Sequence, residues 1–218
     1  MKNTFKTLLF IFVFAIALTS CKDKAKEAET KEAEAPVVAK VEASKFIVEP
    51  ESSLIEWKGF KPTESHNGTI MLESGVIKLN DGKIESGSFI ADMASIKVLD
   101  IPADKEGNAK LVGHLKADDF FDVANHKSAA FEVTGVSEAE GKTILSGNLS
   151  IKGIKHNITF PVSVTDNGDN IILQSEAFTF DRTKWDIKYK SKTIFGDLGD
   201  KFIKDEIELK VKIAAKKA

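Results

Sequence analysis

Residues 203–213 read IKDEIELKVKI and carry the clearest structural signal in the chain. Isoleucine, leucine and valine occupy every second position from 207 onward, and lysine or glutamate fills the positions between them. A period of two places apolar side chains on one face of a β-strand and charged side chains on the other. Asp205 is the exception on the apolar side. The stretch therefore predicts a strand with one face in a core and one face in water.

The same alternation recurs in the preceding sequence, at residues 131–134, 145–152 and 157–164. Turn residues separate these runs: the Asn80-Asp81-Gly82 step and the DNGD sequence at 166–169 predict two hairpins. Gly153 predicts a third connection of this kind.

About eight to ten strands with short connections are expected in total. Only residues 107–116 have the apolar spacing of a helix. Many antiparallel strands without alternating helices favour a sandwich or an up-and-down barrel. Residues 83–98 and 171–180 predict two long strands, which favour an eight-stranded barrel with room for one ligand.

The first twenty residues have the features of a cleaved signal peptide. Lys2 and Lys6 precede an apolar run at 8–18, which is shorter than the roughly 18–20 residues of a membrane span. Residues 18–21, LTSC, resemble the lipobox of bacterial lipoproteins, which implies cleavage before Cys21 and lipid attachment, palmitate included, to its thiol. The alternative is an uncleaved anchor helix with an incidental cysteine.

Composition divides the rest of the chain into two parts. Residues 21–44 hold the lipidated cysteine and a run of lysine, glutamate and alanine that predicts a charged, disordered tether. Residues 45–218 form the predicted β-domain, which has no disulfide because Cys21 is the only cysteine. The formal net charge of −2 is too small to indicate binding of nucleic acid or of an acidic substrate.

Residues 113–123, GHLKADDFFDV, resemble the HL-x-S-x-D-F-F-D-V signature of the YceI-like family. Further segments agree with that family in the same order: 87–96, 130–133, 147–154, 178–185 and 199–201. The resemblance implies a lipocalin-like antiparallel β-barrel whose interior holds a polyisoprenoid, such as a quinone or a prenyl phosphate. It also implies export to the periplasm. With the anchor at Cys21, the expected location is the envelope of a Gram-negative-type bacterium, on the outer membrane facing the periplasm.

Strand parity identifies the side chains expected to face the interior. An isoprenoid tail needs an apolar lining, and its burial at about 25 cal/mol per Å² contributes several kcal/mol. Phe120 is expected to act with Phe121 as a lid. The alternative is that all these side chains fill a solid core. The other inward-facing candidates are Trp57, Ile70, Leu72, Phe89, Phe131, Leu149, Ile158, Phe160, Phe178 and Phe180.

Two polar residues are candidates for contact with a ligand head group at the barrel mouth. His114 lies in the family signature, and Arg182 follows a predicted strand, where its guanidinium could bind a diphosphate. Each has a structural alternative: His114 could fix the helix to the barrel, and Arg182 could pair with Asp181.

Catalytic and metal motifs are not expected. His66, His114, His126 and His156 are too widely spaced for a zinc motif, and the sequence has no G-x-S-x-G element or phosphate-binding loop. The prediction is a membrane-anchored, non-enzymatic lipid carrier that needs no cofactor. One alternative is an envelope interaction protein with a solid barrel. Another is an enzyme acting on a lipid head group through His114 and Asp118 or Asp119. The sequence leaves open whether the protein forms a homodimer.

Overall fold

The computed structural model describes residues 25–40 and 42–218, which are mostly β-structure. The predicted signal peptide and Cys21 lie outside these residues. Helix α1 spans Glu106–Lys116, α2 is a single turn at Lys192–Phe195, and 3-10 turns cover Pro50–Ser52, Arg182–Trp185 and Gly199–Lys201. The strands are β1 (Lys26–Glu27), β2 (Glu29–Glu32), β3 (Ser44–Val48), β4 (Leu54–Phe60), β5 (Ser65–Asn80), β6 (Lys83–Val98), β7 (Ser128–Ala139), β8 (Lys142–Ile151), β9 (Ile154–Asp166), β10 (Asn170–Ser175), β11 (Phe178–Asp181) and β12 (Glu206–Lys217).

Eight strand positions close into a ring. From β5 to β10 each strand pairs antiparallel with the next along the chain, and β10 pairs with β12. In turn, β12 pairs with β3 and β4, which both pair with β5. The sheet thus returns to its first strand, and the predicted lipocalin-like antiparallel barrel of about eight strands is confirmed.

Two of the predicted turns have the geometry that their sequences predict. Asp81 and Gly82 have φ values of 49° and 73°, and Lys152 and Gly153 have values of 51° and 75°. Two successive left-handed residues form the turn whose twist matches that of the flanking strands. The predicted run 83–98 begins directly after the first of these turns and forms a single strand, β6.

The predicted strand at 171–180 is wrong as a single element, because β10 ends at Ser175 and β11 begins at Phe178. At the break, the Ser175 Oγ accepts a hydrogen bond from the N–H of Val211 at 2.8 Å. A side chain thus takes the place of a backbone carbonyl in the ladder. The two halves have different neighbours: β10 pairs with β9, whereas β11 pairs with β1.

The strand predicted from residue 203 starts three residues later, at Glu206. Ile203 forms only an isolated parallel bridge with Ser191. The polar position at Asp205, which interrupts the apolar pattern, therefore lies just before the regular strand.

Residues 25–40 do not form the disordered tether that their composition predicts. The pairing of β9 with β10 ends at the Val162–Ser175 pair. Beyond it, β1 and β2 fill the interval between β9 and β11. β1 pairs parallel with β11, the Ala28 N–H donates to the Thr179 carbonyl at 2.8 Å, and β2 pairs antiparallel with β9. Ala28 is only 4% exposed at this seam.

The same segment then crosses the outside of the barrel, and we call residues 25–40 the N-terminal strap. Glu34 exchanges two hydrogen bonds with the buried Asn148 side chain, at 3.0 and 2.6 Å. Further on, the Val37 N–H donates to the Val133 carbonyl at 3.0 Å. Backbone and amide hydrogen bonds, rather than apolar side chains, thus order the strap, which is why its composition gives no sign of it.

Helix α1 confirms the helix predicted at 107–116 and lies against β6 at one end of the barrel. Asn108 fixes its first turn by donating to the carbonyls of Val98 and Ile101 at 3.1 and 2.7 Å. Lys116 fixes its last turn by donating to the Ala94 carbonyl at 2.7 Å. We call this end of the barrel the mouth. No helix within the described residues is long and apolar enough to cross a membrane.

Replacing Ala28 with aspartate should lower the free energy of unfolding of residues 25–218 by at least about 1 kcal/mol, because a charge would enter a buried seam without a partner. Ala33→Asp is the matched control, since Ala33 is exposed on the same strap. Urea unfolding measures both. Equal stability of the two variants would show that the strap is not docked in solution.

Candidate ligand-binding site

Two adjoining cavities lie inside the barrel. The outer cavity has a volume of about 130 Å³ and extends to the mouth, where Phe120, Ile203 and Lys204 contribute to its lining. The inner cavity has a volume of about 80 Å³. Nearly every atom at the two surfaces is carbon, so neither cavity offers water the hydrogen bonds that would hold it. The side chains that line both cavities are Ile55, Leu72, Phe89, Phe131, Leu149 and Leu209.

All eleven apolar side chains selected from the sequence lie in these linings. Four line both cavities, namely Leu72, Phe89, Phe131 and Leu149. Those that line only the outer cavity are Trp57, Ile70, Phe120 and Phe180. Those that line only the inner cavity are Ile158, Phe160 and Phe178. Their contact with a ligand stays a prediction.

Sequence reasoning missed several lining residues. Ile55, Ala91 and Ala129 each lie two positions from a residue that was selected, so strand parity extended along β4, β6 and β7 would have found them. Leu115 comes from α1, and no strand periodicity indicates a helical residue of this kind. Phe121, the expected partner of Phe120 in a lid, also lines the outer cavity.

Phe131 lines both cavities and belongs to a chain of aromatic contacts. Its ring centroid lies 6.4 Å from that of Phe89 and 5.6 Å from that of Phe160, which stacks on Phe178 at 4.2 Å. The ring occupies the space over Gly147, where a Cβ would come within 2.2 Å of the Phe131 Cζ. Glycine on β8 therefore makes room for the ring.

Trp57 forms the wall of the outer cavity near the mouth. It is paired across β4 and β5 with Gly68, where a Cβ would lie 2.7 Å from the Trp57 Cζ2 and 1.7 Å from the Lys97 carbonyl oxygen. Only glycine allows both groups to approach so closely. The Trp57 Nε1 is buried without a hydrogen-bond partner among the described residues, an arrangement that costs about 1–3 kcal/mol.

A groove of about 160 Å³ adjoins the outer cavity at the mouth and is lined partly by polar side chains. His114 lies in this groove rather than in the cavity, with its ring 4.4 Å from that of Tyr189. Its Nε2 is 3.4 Å from the Asp119 Oδ2, a long contact between partly exposed groups. The groove is where a head group would remain in contact with water while an apolar tail lay inside.

The acidic groups beside the groove are already paired. His66 Nδ1 lies 2.8 Å from the Asp100 Oδ2, and the Asn67 N–H donates to Oδ1 at 2.8 Å. Burial raises the pKa of Asp100, but these hydrogen bonds outweigh it and hold that pKa below its ordinary 3.8. A hydrogen bond from Lys61 at 2.6 Å likewise lowers the pKa of Glu64. Both carboxylates are therefore charged at neutral pH and engaged with local partners.

Residues 46–215 match the family described as the YceI-like domain. The chain belongs to the YceI-like family. The match begins in β3 and ends in β12, so it covers the complete ring and α1 but not the N-terminal strap. The resemblance to this family seen in residues 45–218 is thereby confirmed.

The solved structures that are similar to this YceI-like chain include two with TM-scores near 0.6. BcnA from Burkholderia cenocepacia is 20% identical, with 77% of this chain and 98% of that one covered and a TM-score of 0.60. A polyisoprenoid-binding domain from Saccharophagus degradans, implicated in plant cell wall breakdown, is 14% identical, with 81% and 99% covered and a TM-score of 0.59. At such identities the likeness shows the fold alone. No curated protein matches the chain.

Arg182 in this YceI-like barrel is fully buried and directs its guanidinium to the backbone. It donates to the carbonyl oxygens of Ile187, Ile203 and Lys204 at 2.5, 3.1 and 3.1 Å, and its Nη2 lies 3.5 Å from the Asp205 carboxylate. Burial lowers the pKa of Arg182, and the nearby carboxylates partly offset this effect. The contacts give Arg182 a structural role at the mouth, and its contact with a head group stays a prediction.

The arrangement of polar groups gives no support to catalysis. The Asp118 carboxylate accepts the N–H of Asp119 at 2.9 Å, and the side chains of His114 and Asp119 are 31% and 44% exposed at the rim instead of lying at the floor of a cleft. Among residues 25–40 and 42–218, no group of three His, Cys, Asp or Glu side chains could hold a metal ion.

Arg182→Lys should lower the free energy of unfolding of this YceI-like domain by about 2–4 kcal/mol, because an ammonium group cannot reach three divergent carbonyls and leaves buried acceptors unpaired. Lys184→Met, at an exposed cation two residues away, should change it by less than about 0.5 kcal/mol. Denaturant unfolding of both variants is the measurement. A loss from Arg182→Lys no larger than the control would contradict the structural role.

Gly68→Ala should destabilise the domain far more than Gly147→Ala. At Gly68 the new Cβ would meet a backbone carbonyl that cannot move without breaking the β5–β6 ladder, whereas at Gly147 it would meet the tip of a phenylalanine ring beside the inner cavity. The melting temperatures of the two variants test this order. The reverse order would show that the Phe131 ring is held rigidly.

Proposed function

We propose that the protein is a non-enzymatic carrier that binds the apolar tail of a polyisoprenoid lipid inside its barrel. The observation that carries this proposal is the pair of adjoining cavities whose surfaces are almost entirely carbon. An isoprenoid tail requires apolar contact along its length and no hydrogen bonds, so this lining suits it. The related fold of a domain named as polyisoprenoid-binding supports the same ligand class.

The ligand must move side chains in order to enter. The outer cavity, at about 130 Å³, is smaller than the roughly 300–1,000 Å³ of ordinary ligand pockets. Rotation of Phe131 out of its place over Gly147 would join it to the inner cavity. In our proposal the tail displaces this ring and extends from the mouth toward Phe160 and Phe178.

The head group then lies in the groove at the mouth. His114, Tyr189 and Lys190 line that groove, and they suit the oxygens of a quinone or of a prenyl phosphate. Two alternatives have less support. A solid barrel acting as an interaction protein would lack the cavities, and an enzyme would need a catalytic pair less exposed than His114 and Asp119.

We further propose that Cys21 carries the lipid anchor and that the barrel works at the envelope, on the outer membrane facing the periplasm. The lipobox-like residues before Cys21 and the preceding apolar run support this location. Stable anchoring needs more than one acyl chain. The mass of the mature N-terminal peptide measures directly how many chains Cys21 carries. A peptide that begins with unmodified Cys21, or one that retains residue 1, would contradict the anchor.

Native mass spectrometry with organic extraction tests the carrier function. The protein used should comprise residues 25–218, because the strap belongs to the sheet, and should come from a host that makes isoprenoid quinones. We expect a stoichiometric isoprenoid to copurify. A folded domain that is empty and also refuses added quinone and prenyl phosphate would favour the solid-barrel alternative.

Ala129→Leu should lower ligand occupancy by about tenfold with little loss of stability, because the new methyl groups enter the outer cavity. Ala215→Leu is the matched control: Ala215 is 1% exposed and lies outside both linings, so overpacking should cost about 1–3 kcal/mol and leave occupancy unchanged. Quantified extraction and urea unfolding give the two readouts. Equal occupancy in both variants would place the ligand outside the barrel.

A further inference from the structure

Residues 191–202 form a loop that leaves the barrel at the mouth and returns there. Its base is fixed by the bridge between Ser191 and Ile203 and by a hydrogen bond of 2.9 Å from the Ile203 N–H to the Lys190 carbonyl. Ile203 lines both the outer cavity and the groove, and Lys190 lines the groove. A surface that binds this loop therefore lies next to the opening of the cavity.

Two adjacent apolar side chains are exposed on the loop. Ile194 and Phe195, in the single turn α2, are 44% and 57% exposed. Single apolar residues on a surface need no explanation. A bulky adjacent pair on a projecting loop beside an apolar cavity is a site at which a water-excluding partner would gain contact area.

Lysines outnumber acidic residues in the segment that holds this pair. Residues 184–204 contain six lysines and three aspartates, a net charge of +3 in a chain whose net charge is −2. Lys192 and Lys201 flank the apolar pair and are exposed. Within the loop they are balanced by the exposed Asp197 and Asp200, so the excess of positive charge comes from the lysines at the base of the loop. Three lysines contact aromatic rings at 5.0–5.8 Å: Lys190 on Tyr189, Lys192 on Phe202 and Lys204 on Phe60. None of the three forms an ion pair within the described part of the chain.

We propose that the 191–202 loop docks the mouth of the barrel onto a lipid bilayer that carries anionic head groups. Ile194 and Phe195 enter the boundary between head groups and acyl chains, while Lys192 and Lys201 remain at the level of the phosphates. A bilayer matches both features at once, since it presents negative charge at its surface and hydrocarbon directly beneath.

Docking has a consequence for ligand exchange, and this part rests on the proposed function. A tail leaving the cavity at Ile203 would pass into the acyl region without crossing water. Exposure of an apolar tail to water is costly, at about 0.8 kcal/mol per methylene group. A mouth held against the bilayer removes most of this barrier.

Vesicle co-sedimentation of ligand-free residues 25–218 tests the docking. These residues contain every strand of the ring and a single core that extends from Ala28 to Ala215. We expect binding to phosphatidylcholine vesicles with about 30% phosphatidylglycerol, at least about tenfold stronger than to phosphatidylcholine alone. Binding should weaken as salt is raised, because the lysines and the lipid charges are exposed. Equal binding to both vesicles, or to neither, would overturn the proposal.

Variants locate the contact on the loop. Ile194→Ser with Phe195→Ser should weaken binding to anionic vesicles by about tenfold or more. Their matched control is Val37→Ser with Val38→Ser, an adjacent exposed pair on the strap, which should leave binding within about twofold. Thermal melts followed by circular dichroism establish that each variant is folded. Loop variants that are folded and bind as well as the control would overturn the proposal.

Charge reversal provides a second, independent set of variants. Lys192→Glu with Lys201→Glu should abolish the preference for anionic vesicles, whereas Lys45→Glu with Lys83→Glu, exposed at the opposite end of the barrel, should retain most of it. The unaltered protein could instead form a dimer and fail to bind vesicles. If the loop variants are then monomeric, the loop contacts a second copy of the chain, and the proposal is overturned. Because the vesicle assay uses empty protein, docking and the carrier function can fail separately.

Discussion

Closure of the hydrogen-bonded sheet is the constraint on which the rest of this structure depends. An open antiparallel sheet presents unpaired N–H and C=O groups at its edges, and a barrel removes them only when its first and last strands meet. Here β12 meets β3 and β4, while the strap occupies the interval in which β9 and β11 separate. Once the ring is closed, the pleat directs alternate side chains inward, and the chemistry of the interior is set by strand sequence alone.

The closed ring also explains why space remains inside. A backbone cylinder of eight strands cannot contract around small side chains, so Ala91 and Ala129, which face each other across β6 and β7, leave volume that larger residues would fill. A void of about 130 Å³ costs about 3 kcal/mol at 24 cal/mol per Å³. Stability is thus lower than a filled core would give, and a bound tail would recover part of the difference.

The sequence allowed the ring strands and the interior lining to be predicted because a period of two reports which face of a strand is buried. It could not report which backbone a strand pairs with. The break after Ser175 and the docking of the strap depend on such pairings, and the strap's lysine- and glutamate-rich composition pointed the other way. Arg182 shows a related limit: from sequence it resembles an anion site, but its carbonyl partners come from a loop whose course side-chain patterns do not determine.

The docked strap also sets a length scale. Under the proposed anchoring at Cys21, a free tether ending at Lys45 would allow the barrel a reach of about 80 Å from the membrane. Lys26 is already paired in the sheet, so no more than five residues separate Cys21 from the docked strap, and these span at most about 18 Å. With so short a connection to its anchor, the barrel could not travel across a compartment to deliver a bound lipid. Any exchange partner would have to come to the membrane that holds the barrel.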